Sequence, residues 1–122
     1  MRITHFLGLA GVVALAACSK SIYGGGSGGA PCDGQGAAVV VSATSGLRFS
    51  PDSILISSGQ KVCWQNTASV THTVTSDTGT VLNSGNVGGG GYFVHTFTAT
   101  GTVNYPCIPH QADGMVGKVV IQ

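Results

Sequence analysis

From residue 37 onward the chain alternates between short runs rich in Val, Ile, Thr and aromatic residues and clusters of Gly, Pro, Asn and Asp. No segment carries apolar residues at the three-to-four spacing of a helix, so the runs read as half-buried strands joined by turns. The pattern predicts strands near Ala38–Ala43, Ser53–Ser57, Lys61–Asn66, His72–Ser76, Tyr92–Thr98, Gly101–Cys107 and Val116–Ile121. Arg48 to Asp52 leads into the second strand and Ser58-Gly59 turns it into the third. The predicted class is all-β, a Greek-key β-sandwich of about seven to eight strands. Gly88 to Gly91 reads as a spacer before the next strand, with a binding loop as the alternative.

The pattern before residue 37 is different. Met1 to Cys18 has a basic start, an apolar run and small residues before a cysteine. It is shorter than the roughly 20 apolar residues of a membrane span, so residues 1–17 read as a signal peptide. Leu15-Ala-Ala-Cys18 resembles a bacterial lipobox, which implies lipid modification at Cys18; cleavage of a plain secretory signal near Ala17 is the alternative. Ser19 follows, and by resemblance to sorted lipoproteins it favours the outer membrane, in a cell that has one, with the protein on its periplasmic face. Residues 18–36 are dominated by Gly, Ser and Ala and read as a flexible tether with a reach of about 20–25 Å. Residues 37–122 are left as one domain.

Charge is sparse, at 7% of the 122 residues. Without Arg2, Lys20, Arg48, Lys61 and Lys118 balance Asp33, Asp52, Asp77 and Asp113. Such a neutral surface offers nucleic acid no basic face and steers redox partners only weakly. A monomer is the expectation.

The candidate chemistry lies in Tyr105-Pro-Cys-Ile-Pro-His110-Gln-Ala-Asp-Gly-Met115, which holds a thiol, an imidazole and a thioether between two apolar strands. Val103, Tyr105 and Cys107 share one parity, so Cys107 continues the inward face of its strand. A buried thiolate is strongly disfavoured without a bound cation. His72 is the candidate for the fourth donor. Two histidines, a cysteine and a weak axial methionine form the ligand set of a blue-copper centre, whereas zinc prefers more thiolates and binds a thioether poorly. His72, Cys107 and His110 would form the trigonal plane and Met115 the axial bond, holding one type 1 copper ion. Pro106 and Pro109 stiffen the loop.

These segments, with Val70 to Asp77 and the closing strand Val116 to Ile121, resemble the plastocyanin branch of the cupredoxins over roughly residues 38–122. The resemblance implies a one-electron carrier at the cell envelope and not an enzyme. It also implies that the N–H of Thr73 donates to the Cys107 sulfur, since Pro109 has no N–H to offer. Donor and acceptor proteins would dock transiently near His110, beside Pro109, Ala112 and Val70. Copper storage or delivery is the alternative function. His95 shares parity with Phe93 and Phe97 and reads as a hydrogen-bonded structural histidine; too few histidines remain for a trinuclear copper centre. Cys32 and Cys63 are left over and are expected to pair in an exported protein, with free thiols or an auxiliary metal site as alternatives.

Overall fold

A computed structural model describes residues 30–122. The expected signal peptide, the lipidation site Cys18 and the first part of the tether lie outside the described residues. Among the described residues seven strands form two sheets: β1 (Val39–Ala43), β2 (Phe49–Ser50), β3 (Ser53–Ile56), β4 (Lys61–Asn66), β5 (Tyr92–Thr96), β6 (Gly101–Pro106) and β7 (Val116–Ile121). One sheet has the order β2-β1-β4-β5 and the other β3-β7-β6, which makes the expected sandwich. Strand β1 runs parallel to β4, and β3 parallel to β7, because the chain crosses between sheets instead of folding back as simple hairpins.

Alternation along the strands fills the space between the sheets. Val41, Ala43, Val62 and Trp64 from the first sheet meet Ile54, Ile56, Tyr105, Val119 and Ile121 from the second. Trp64 sits at the centre, edge-on to Tyr105 with ring centroids 5.5 Å apart, and Phe49 contacts Tyr105 at 4.8 Å. Burial pushes the Tyr105 phenol up to about 12; Asp52 adds to this, and the neighbouring indole N–H of Trp64 offsets part of it without reaching hydrogen-bond geometry.

The Tyr105 ring lies across its cross-strand partner Gly117. A Cβ at that position would fall on the ring carbons and the hydroxyl, and Phe49 and Trp64 already pack against the ring. Gly117→Ala is therefore expected to destabilise the fold by about 1–3 kcal/mol through overpacking, measured as a lower urea midpoint with an unchanged slope.

Two expectations need correction. The segment His72–Ser76 is not a strand: it forms isolated bridges from His72 to Val87 and from Thr75 to Asn83. Side chains intercept its backbone donors, since the Thr73 N–H goes to the Cys107 sulfur and the Val74 N–H to the Ser84 hydroxyl. A regular ladder cannot form when two successive donors are used this way. His95, expected to be a hydrogen-bonded structural histidine, is half-buried with its ring packed against aromatic groups, edge-on to Phe97 at 4.6 Å and stacked with Phe93 at 6.5 Å. Desolvation holds its pKa below the usual histidine value.

The sandwich also reaches further toward the N-terminus than the composition suggested. Residues 30–36 form turns against the outer face of β4, where Cys32 is bonded to Cys63. Val62 and Trp64 point into the core, so Cys63 points outward, and Cys32 covers it.

Candidate metal centre

Three loops meet at one end of the sandwich. The first follows β1, the second runs from the end of β4 to His72, and the third joins β6 to β7. In the third, 3₁₀ turns over Ile108–Asp113 meet at a kink at His110 and end at Gly114, whose φ of 83° suits glycine. The loop is closed by bonds from Cys107 N–H to the Met115 carbonyl (2.9 Å) and from Met115 N–H to the His110 carbonyl (3.3 Å).

Among the described residues, His72, Cys107 and His110 form a cluster with metal-ligating atoms close together. The Nδ1 atoms of His72 and His110 are 3.2 Å apart, and the Cys107 sulfur is 3.6 Å from the first and 3.4 Å from the second. A point equidistant from all three lies about 2.0 Å from each, close to the length of a metal–imidazole bond and somewhat inside that of a metal–thiolate bond. The donor set therefore fits a single ion. Met115 is fully buried in the same core cluster as Cys107, and its backbone is tied to both Cys107 and His110, which makes it the axial candidate.

The surroundings prepare these donors. His72 Nε2 lies 3.1 Å from the Thr44 carbonyl, an acceptor only, so Nε2 carries the proton and Nδ1 keeps its lone pair for a metal. Desolvation lowers the His72 pKa and nearby His110 lowers it further, while the bond to Thr44 opposes both. The ring thus resists protonation, which would block ligation.

The backbone around His72 is held from both sides. His72 and Val87 exchange N–H···O bonds of 3.0 and 2.8 Å. The buried Asn66 amide donates to the carbonyls of Val70 and Val87 and its oxygen accepts from Ala68 N–H, so the loop from β4 to His72 is folded around one side chain. Thr73 links the two ligand segments twice: its N–H donates to the Cys107 sulfur at 3.3 Å and its hydroxyl accepts from Ile108 N–H at 2.8 Å. Pro109 is exposed on the loop.

The structure thus brings together His72, Cys107, His110, Met115 and Thr73, and places Cys32 and Cys63 on the outer face of β4. Thr44 and Asn66 were not foreseen. Thr44 contributes only a carbonyl and meets His72 across 28 residues, which leaves no local signal. Asn66 carried a faint one, a polar residue on the inward parity of Val62 and Trp64 at the end of β4.

The sequence model of the copper binding proteins, plastocyanin/azurin family, matches residues 36–122. The chain belongs to this family. Plastocyanin of Lactuca sativa is 31% identical over 96 residues, covering 66% of this chain and 93% of the relative. Chloroplastic plastocyanin of Tetradesmus obliquus is 34% identical over 86 residues and 62% of this chain, which spans only 59% of that relative's length. Among solved structures, a purple cupredoxin from Nitrosopumilus maritimus superposes with a TM-score of 0.62 at 26% identity, covering 69% of this chain and 99% of that one. Membership of the plastocyanin/azurin family agrees with the sandwich and with the donor set at its end.

Proposed function

We infer that the protein is a blue-copper electron carrier, and the observation that carries this is the convergence of two imidazoles and one thiolate around a single point, with Met115 beside it. A copper ion held there supplies reversible one-electron chemistry between its cuprous and cupric states. His72, Cys107 and Met115 are at most 1% exposed, which keeps water from the donors. The bonds of Thr44, Asn66 and Thr73 hold the donors in place, so little rearrangement accompanies a change of charge. His110 alone of the four reaches the surface, and its ring is the exit for the electron.

Around His110 the exposed apolar residues are Ile108, Pro109 and Ala112, with Val70 on the adjoining loop and the polar Gln111 and Asp113 at the margin. This apolar rim suits brief docking by donor and acceptor proteins, with the carrier acting as a monomer and not as an enzyme. Storage or delivery of copper calls for donors that exchange readily, which the burial of three of the four opposes. The deciding experiment is the visible and EPR spectrum of the copper-loaded domain before and after ascorbate. An intense blue band with narrow hyperfine splitting that bleaches reversibly supports the carrier; a weakly absorbing protein points to delivery or to zinc.

Pro109 sets the electron density on the sulfur by withholding a donor. Pro109→Ala restores an N–H, and a second hydrogen bond to the thiolate would favour the reduced state. The expected result is a potential raised by up to about 40 mV, the equivalent of about 1 kcal/mol for one electron. An unchanged or lower value in voltammetry would count against this role.

Export and lipid anchoring belong to the same reading. A lipid on Cys18 would hold the carrier on the periplasmic face of a membrane, the outer one in a cell with two, on the tether that follows. Cys18→Ala should move the protein from the membrane to the soluble fraction of fractionated cells while leaving its colour intact.

A further inference from the structure

The two halves of the metal centre come from distant parts of the chain, and one exposed side chain joins their supports. The turn after β1, Thr44 to Arg48, supplies the carbonyl that accepts from His72 Nε2. Within this turn the Thr44 N–H and hydroxyl both donate to the Arg48 carbonyl, and Leu47 N–H donates to the Thr44 carbonyl. Leu47 has a φ of 55°, a left-handed conformation uncommon outside glycine. The Arg48 guanidinium then uses one nitrogen, Nη1, to donate at 2.8 Å both to the Leu47 carbonyl and to the Asp113 carbonyl. Asp113 is the last residue of the 3₁₀ turns that carry His110, where carbonyls lack a helical N–H to accept from.

We propose that Arg48 is a positioning residue of the metal centre: by bridging Leu47 and Asp113 it fixes the turn that orients His72 against the loop that carries Cys107, His110 and Met115. The chain of contacts is continuous. It runs from His72 through Thr44 and Leu47 to Arg48, and from there through Asp113 to the loop closed by Met115. Thr73 ties the same two segments on the other side, so the centre is clasped twice, by Thr73 in the interior and by Arg48 at the surface. The side chain of Arg48 is suited to this because the two hydrogens on Nη1 are fixed in the plane of the guanidinium and point to the two carbonyls.

This inference rests on the reading of the site as a copper centre, and the test separates the two. Arg48→Met keeps the stem and removes the donors, while Arg48→Lys keeps the charge and one donor group. The first measurement needs no metal. In the copper-free protein, amide exchange of Leu47, Gly114 and Met115 should be about five- to tenfold faster in Arg48→Met, with Trp64 in β4 unchanged. The second is made on copper-loaded protein, where Arg48→Met should release copper to a chelator about tenfold faster and change the ratio of the visible bands, with Arg48→Lys intermediate in both. Equal exchange rates and an unaltered spectrum in Arg48→Met would overturn the proposal, as would a Tm loss alone. Failure of the parent protein to turn blue would instead refute the copper reading, and the metal-free exchange data would still decide whether Arg48 braces the two segments.

Discussion

Replacing Cys107 with serine should abolish the intense visible absorption of the copper-loaded protein while leaving the sandwich folded. The thiolate is the donor whose charge-transfer transition gives blue-copper centres their colour, and a hydroxyl is neither ionised at neutral pH nor soft. The serine oxygen can still accept the Thr73 N–H, so no buried donor is orphaned and the apo fold should lose little stability. Copper affinity should fall by more than the roughly 10- to 100-fold expected for losing an outer partner of a ligand, because a primary donor is gone. Titration with cuprous and cupric ions, followed by absorption and circular dichroism, measures all three quantities. A Cys107→Ser protein that stayed blue would remove the cysteine from the centre.

The second large effect concerns stability and not colour. Cys32 and Cys63, 31 residues apart in sequence, join the N-terminal turns to β4. By the chain-entropy argument a loop of this length contributes about 3–4 kcal/mol, and removing native bridges from small exported domains costs about 2–5 kcal/mol. A change of that size in a domain of this length lowers Tm by about 10–20 °C or more. The double substitution Cys32→Ala with Cys63→Ala should show this drop in calorimetry. Its copper spectrum should match that of the parent, since the bridge lies on the outer face of β4 and touches none of the donors. A spectrum that changed along with the Tm would mean that β4 transmits strain from the bridge to Asn66 and the loop it folds.

Cys107, His110 and Met115 were legible because they fall within nine residues of one another, and their spacing is a local property. His72 was legible from its position after an apolar strand, but the strand predicted to carry it was not there. Alternation of Val74 with threonines imitates a strand pattern, yet the N–H groups of Thr73 and Val74 are committed to the side chains of Cys107 and Ser84, which lie 34 and 10 residues away. The same limit applied to His95, whose parity with Phe93 and Phe97 was readable but whose ring, among the described residues, meets those aromatic groups and no hydrogen-bond partner.

By itself the sequence determined the class of the fold, through the two-residue period of its apolar runs, and the metal chemistry, through the softness of its four donors. Both depend on residue type and on short spacing, which a chain carries before it folds. The tertiary structure alone decided how those donors are held. The carbonyl of Thr44 that sets the His72 tautomer, the amide of Asn66 that folds the preceding loop, the double link through Thr73 and the bridge of Arg48 to Asp113 are hydrogen bonds, mostly to backbone groups. Every residue has such groups, so their partners are chosen by the packing of the two sheets and leave no mark in the order of side chains.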